Sequence, residues 1–212
     1  MVRDPNAKAR RVWDKAAPGY DESMGWFERT FIEDGREWIT SRARGRVLEV
    51  AVGTGRDLPF YPADVTLTGI DLSPAMLRLA RRRAAELGRE VDFRVGDAQK
   101  LPFDDESFDT VVTALALCSI PDSVAAIGEM KRVLVPGGRL LLLDHIRSSW
   151  PPIAAGQWLV ERVTIPAGGD HLTRRHLPVV KRAGLEIVES VRRKAGTIER
   201  VHARKPATGA AL

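Results

Sequence analysis

The stretch VLEVAVGTGRDLPF, Val47–Phe60, decides how the rest of the chain is read. Val47 to Val52 is a β-branched, apolar run of strand length, and Gly53 and Gly55 then break it. A strand that runs into paired glycines is either a ligand loop or the bare end of a buried strand. The next segment, VTLTGIDLSPAML (Val65–Leu77), favours the ligand loop. Val65 to Ile70 reads as a second strand ending at Asp71. Ser73 then offers an N-cap, and Pro74 stands at the first helical position. Met76, Ala80, Ala84 and Leu87 recur on one helical face, and Gly88 is a stop signal.

The same alternation continues downstream. Val91 to Val95 reads as a third strand ending near Asp97, and Phe108 to Leu115 as a fourth. A helix is predicted over Asp122 to Leu134, with Val124, Ile127, Met130 and Leu134 facing inward. The PGG at 136–138 predicts a turn before a fifth strand, RLLLLDH. Strands alternating with helices predict an α/β fold with a mostly parallel, Rossmann-like sheet and helices on both faces. LEIVESV and TIERVHAR lie too close together for a crossover helix and predict a C-terminal antiparallel hairpin.

Residues 1–45 carry no strand pattern and read as a helical lid, broken at APGYDES (Ala17–Ser23). Residues 46–205 form the main domain, with a specificity segment at about 146–180, and 206–212 read as a flexible tail.

The 212 residues are 44% hydrophobic, enough for one core. Lys and Arg (33) exceed Asp and Glu (28) by 5, in short scattered clusters that read as solvated faces rather than a nucleic-acid footprint. Cys118 is the single cysteine, so no intrachain disulfide forms, which suits a reducing cytoplasm. No apolar run reaches the roughly 18 residues of a membrane span, and the N-terminus lacks a signal-peptide core.

Ligands of open α/β sheets bind beyond the carboxyl ends of the strands. Three features meet that rule on successive strands. Gly53 and Gly55 let a ligand approach the backbone. Asp71 can accept from both hydroxyls of a ribose. Asp97 can meet an adenine edge. Leu58 stands where a dinucleotide fingerprint needs its third glycine, and the acid Glu49 precedes the loop, which suits a cationic group rather than a pyrophosphate.

These segments resemble the class I S-adenosylmethionine-dependent methyltransferases, in the group that includes ubiquinone/menaquinone, phosphatidylethanolamine and thiol methyltransferases. EVAVGTG is similar to the family's cofactor loop and GIDLSPAML to its ribose segment. VGDAQKLPFDDESFDTVVTALALCSIPD is similar to its adenine loop and fourth strand, and EMKRVLVPGGRLLLLDH to its late helix and fifth strand.

The resemblance implies a seven-stranded sheet and S-adenosyl-L-methionine as cofactor, with S-adenosyl-L-homocysteine as product. Gly53 and Gly55 would pass beside the methionine and ribose. Glu49 would orient the amino group through water. Asp71 would hold the ribose, Leu72 and Ala98 would flank the adenine, and Asp97 would accept from its amine. Leu115 would lie under the methionine arm, and Tyr20 would close over the cofactor. Ala51 departs from the family's first glycine and is expected to be tolerated at an ordinary strand-end φ.

Oxygen, nitrogen and thiol acceptors must lose a proton, and His145, after the fifth strand, is placed to take it. Cys118, Trp150, Trp158 and His171 are candidate acceptor-pocket residues. Trp150, Trp158, Leu159 and Val163 either line an apolar pocket or rest on a membrane surface. Cys118 lacks the preceding proline of cytosine methyltransferases. His171 and His176, five apart without a Cys/His cluster, predict no metal. The expected acceptor is a small apolar or lipid-like molecule, with the methylated atom and the oligomeric state open. An RNA methyltransferase and a non-catalytic partner that keeps the cofactor fold are the alternatives.

Overall fold

In the computed structural model, which describes residues 6–207, the sheet order is β3-β2-β1-β4-β5-β7-β6. Its strands are β1 (Arg46–Val50), β2 (Thr66–Asp71), β3 (Val91–Val95), β4 (Phe108–Ala114), β5 (Leu134–His145), β6 (Glu186–Arg193) and β7 (Ile198–Arg204). The first five are parallel, and β7 runs antiparallel between β5 and β6. The chain steps outward from β1 to β3, then returns to the other side of β1 with β4. The order therefore reverses between β1 and β4, where a cleft opens beyond the strand ends.

The pleat sorts the strand residues onto two cores. Leu48, Val50, Val111, Leu140 and Leu142 pack with Ile127 and Met130 of α5 (Ser123–Val133) and Val179 and Val180 of α7 (Leu177–Arg182). Val47, Leu67, Val112, Leu141 and Leu143 pack on the other face with Ile39 of α3 (Gly35–Thr40) and Ala84 of α4 (Pro74–Glu86). Ser73 caps α4 as expected, its Oγ accepting from the Met76 amide at 3.1 Å. The N-terminal segment adds α1 (Ala7–Ala16) and α2 (Tyr20–Phe27), and α6 (Pro151–Gly168) precedes α7.

Several expectations change. β1 ends at Val50, so Val52 belongs to the loop. The break at APGYDES is confined to Ala17–Gly19, because Tyr20 to Ser23 already lie in α2. Leu87 and Val124 are exposed: each sits at a helix end where the inward stripe has rotated to the surface. The PGG is a bulge inside β5 rather than a turn before it. Leu134 pairs with Phe108 and Arg139 with Thr110, so five residues of one strand span two of the other. The expected tail falls at 206–212, of which 208–212 lie outside the described residues.

Candidate cofactor and acceptor site

The loop after β1 holds three left-handed residues: Ala51 (φ 57°), Gly53 (φ 57°) and Gly55 (φ 78°). The ordinary φ expected for Ala51 is therefore overturned. Its methyl group is carried in a conformation that costs an L-residue about 1–2 kcal/mol. The two glycines differ in purpose. A Cβ on Gly53 would meet nothing within 4 Å, so this backbone faces open space. A Cβ on Gly55 would come within 2.8 Å of Leu58 and 3.3 Å of the Ala80 backbone, so that glycine permits loop and helix to pack.

The Asp71 carboxylate is buried and fixed by backbone donors, Gly53 N–H at 2.8 Å to Oδ2 and Ser73 N–H at 2.8 Å to Oδ1. Burial raises its pKa to about 6. The Ser73 and Gly53 amides oppose that rise, and the charge of Asp14 adds to it. Asp97 is fixed similarly, accepting from Gln99 N–H at 2.9 Å and Asn6 Nδ2 at 2.6 Å.

Ala51, Gly53, Asp71, Leu72, Asp97, Ala98, Leu115 and Tyr20 all line one cleft of about 730 Å³ at the sheet's reversal point. Gly55 and Glu49 do not. Glu49 points from β1 to the opposite face, where it is buried near Asp57, Tyr61 and Arg36, and burial followed by the Asp57 charge pushes its carboxyl well up.

The side of the loop that faces the N-terminal helices is held by ion pairs. Arg56 meets Glu28 at 2.6 Å and Asp21 at 3.3 Å, Arg36 meets Asp57 at 2.6 Å, and Thr54 Oγ1 donates to Asp21 at 2.6 Å. Asp14 of α1 accepts from Ser73 Oγ at 2.6 Å and from the Ala75 amide at 3.1 Å. The N-terminal helices are thus fastened to the loop and to the start of α4.

A second, wider cleft of about 1190 Å³ shares Trp13, Tyr20 and Leu115 with the first. Trp13 and Tyr20 meet edge to face, with centroids 6.1 Å apart. Burial raises the Tyr20 hydroxyl to about 12, so it stays a neutral donor at neutral pH. Leu115 follows β4 at φ 55°, a second non-glycine residue in left-handed backbone at the junction.

Met24, Phe27, Phe31, Leu172 and Ile198 make the far wall apolar, and His145, Asp170 and Cys118 bring the polar chemistry. His145 Nδ1 is buried without a hydrogen-bond partner among the described residues. Asp144 does not hold its ring. The Asp144 carboxylate accepts from the backbone amides of His145 at 2.8 Å and Cys118 at 3.2 Å, and His176 Nε2 lies 3.6 Å away. Burial, and then the Asp144 charge, push the Cys118 thiol well above its usual range, which makes it a poor nucleophile. Ligand atoms of Cys118, Asp144 and His145 lie within 4.8 Å of one another, a grouping that the sequence spacing had not suggested.

Three candidates fall away from this wall. Trp150 and Trp158 are exposed, and Trp158 stacks with Arg162 at 3.9 Å. His171 turns toward the buried Glu161, 3.7 Å away, while Asp170 and Leu172 on either side of it line the cleft. Sequence reasoning missed Asp170, whose carboxyl is raised by burial and lowered by the nearby His145. Its signal was the GGDH turn, in which the histidine drew the attention.

Residues 48–142 match the family model described as a methyltransferase domain. The chain is 39% identical over 138 residues to a phosphatidylethanolamine N-methyltransferase of Cereibacter sphaeroides, covering 64% of this chain and 68% of the relative. It is 32% identical over 176 residues to a demethylmenaquinone methyltransferase of a Roseiflexus species, covering 78% and 73%. Among solved structures, a Thermotoga maritima protein described as an S-adenosylmethionine-dependent methyltransferase, possible histamine N-methyltransferase, aligns with a TM-score of 0.71 at 20% identity, covering 93% of this chain and 99% of that one. The [4+2]-cyclase SpnF aligns with a TM-score of 0.68 at 23% identity, covering 82% and 79%. Likeness to a cyclase shows that this fold alone does not fix the reaction.

Proposed function

Because the chain belongs to the S-adenosylmethionine-dependent methyltransferases, we propose that it binds the methyl donor in the first cleft and a small apolar or lipid-like acceptor in the second. The observation that carries this reading is the shared wall: Trp13, Tyr20 and Leu115 border both clefts, so ligands in each would meet there.

The first cleft fits the donor. The open side of Gly53 leaves room for a ligand against the backbone, and the Asp71 carboxylate is aimed and buried, ready to accept from paired hydroxyls. Bound there, the sulfonium supplies a methyl group on a good leaving group. The protein's work is then alignment and exclusion of water. Trp13 and Tyr20 form a dry partition on the lid side, while Met24, Phe27 and Phe31 take up apolar surface of the acceptor.

His145 would take the proton of an oxygen, nitrogen or thiol acceptor, with Asp170 stabilising the imidazolium. The relatives, a phosphatidylethanolamine N-methyltransferase and a demethylmenaquinone methyltransferase, support an apolar acceptor.

Calorimetry with S-adenosylmethionine, S-adenosylhomocysteine and an NADH control tests the first step. Micromolar binding of the sulfur compounds alone is expected, after which a screen of quinols, thiols, amines and lipids seeks the acceptor. Failure of both compounds to bind folded protein would reject the reading and favour a non-catalytic partner.

A further inference from the structure

Helix α6 is turned inside out. Over its 18 residues it buries only Ala154 and Glu161. Its inward side is polar and hydrogen-bonded to the fold: Gln157 accepts from the Ser148 amide at 2.7 Å and donates to the Ile146 carbonyl at 2.9 Å. Glu161 accepts from Thr173 Oγ1 at 2.7 Å, and Thr164 Oγ1 donates to the Asp170 carbonyl at 2.9 Å. Its outward side is apolar. Trp158, Leu159 and Val163 are 54%, 63% and 70% exposed, Val160 is exposed beside them, and Trp150 is exposed just before the helix. A surface helix of a globular protein shows the opposite arrangement.

The exposed charges of this segment share one sign. From Ile146 to Arg175 the acids are Glu161 and Asp170, the first buried and the second lining the acceptor cleft. The exposed charges are Arg147, Arg162 and Arg175, and Lys8 joins them by donating to the Pro166 carbonyl at 3.2 Å. Two copies packed on this face would bring two sets of arginines to one interface. An anionic lipid surface offers the complementary charge.

We infer that α6 is a docking surface for the interface of an anionic membrane, with Trp158, Leu159 and Val163 entering the acyl boundary and Arg147, Arg162 and Arg175 meeting lipid phosphates. Gln157 lines the acceptor cleft from the other side of the same helix, so docking brings that cleft to the membrane. The surface does not depend on the methyl-transfer reading, because vesicle binding needs neither cofactor nor acceptor.

The test is flotation of the full chain with vesicles of phosphatidylglycerol and, separately, of phosphatidylcholine. Partition is expected to be at least about tenfold stronger on the anionic vesicles and to weaken with salt. Leu159→Gln combined with Val163→Gln is expected to reduce it at least about tenfold while S-adenosylhomocysteine affinity stays unchanged. Because the single native cysteine, Cys118, is buried, a polarity-sensitive dye on Val163→Cys gives a second readout, a blue shift on anionic vesicles. No partition would overturn the inference, as would partition indifferent to the double substitution. Dimerisation without lipid that the double substitution abolishes would overturn it in favour of a second copy. Loss of S-adenosylhomocysteine binding by the unaltered chain would instead count against the proposed function.

Discussion

The Gly53 amide donates to Asp71 Oδ2 at 2.8 Å, joining the loop after β1 to the end of the neighbouring β2, beside the point where strand order reverses. The bond fixes the carboxylate whose pKa burial raises to about 6. In the folded state Asp71 binds its proton more tightly than in the unfolded chain. Its contribution to apo stability therefore falls as pH rises from about 4 through 6. Ligand binding runs the other way, because ribose hydroxyls need an ionised acceptor. The dissociation constant for S-adenosylhomocysteine should be flat at neutral pH and rise by up to about tenfold per unit below pH 6. Asp71→Asn should weaken binding at neutral pH and remove that dependence, as calorimetry across pH would show.

Ala51 bears strain that the family's glycine would relieve, since its φ is 57°. Ala51→Gly gains from the left-handed backbone and loses through the freer unfolded chain. The net expectation is a stabilisation of about 0.5–1 kcal/mol, read from the urea midpoint, with little change in cofactor affinity. A destabilised variant would mean that the methyl group packs usefully against the cleft.

The N-terminal segment carries a different pH signature. Glu28 is raised by burial, but hydrogen bonds from Arg56 and Arg36 outweigh this and hold its carboxyl below the usual value. Asp21 is likewise raised by burial and lowered further by Thr54 and Arg83. Groups depressed in this way stabilise the fold above their unfolded pKa near 4 and lose that contribution as pH falls through the folded values. Glu28→Gln should cost about 2 kcal/mol at pH 7, because two arginines lose a charged acceptor. At a pH below both folded values the difference from the unaltered chain should shrink. Denaturation at the two pH values checks both statements.

The order of strands and helices was legible because glycines follow β1 and β3 and an acid ends β2, and because apolar periodicity marks α4 and α5 clearly. Asp71, Asp97 and Gly53 could be placed from their positions at strand ends. Other features depend on long-range geometry that a local pattern does not encode. The left-handed Ala51 is followed by Val52, whose amide bonds Ile70 O at 3.1 Å on the neighbouring strand. α6 misleads for a different reason: its inward side is fastened by Gln157, Glu161 and Thr164, so apolar residues no longer mark the buried face. The choice of Asp170 over His171 rests on a one-residue alternation in an irregular segment.

His145 and Asp170 supply the sharpest test of the acceptor side. Both line the second cleft, neither lines the first, and the buried His145 Nδ1 has no hydrogen-bond partner among the described residues. With an acceptor that must lose a proton, His145→Ala should lower kcat by about 10²–10⁴-fold while the dissociation constant of S-adenosylhomocysteine stays within about a factor of two. Asp170→Asn should lower kcat less, because the imidazolium that forms loses a neighbouring negative charge. A methyl group sent to a carbon already activated as an anion needs no such base, and both substitutions would then leave kcat nearly unchanged. Undiminished turnover with a protonated acceptor would remove the base role and leave alignment at the Tyr20–Leu115 junction as the protein's whole contribution.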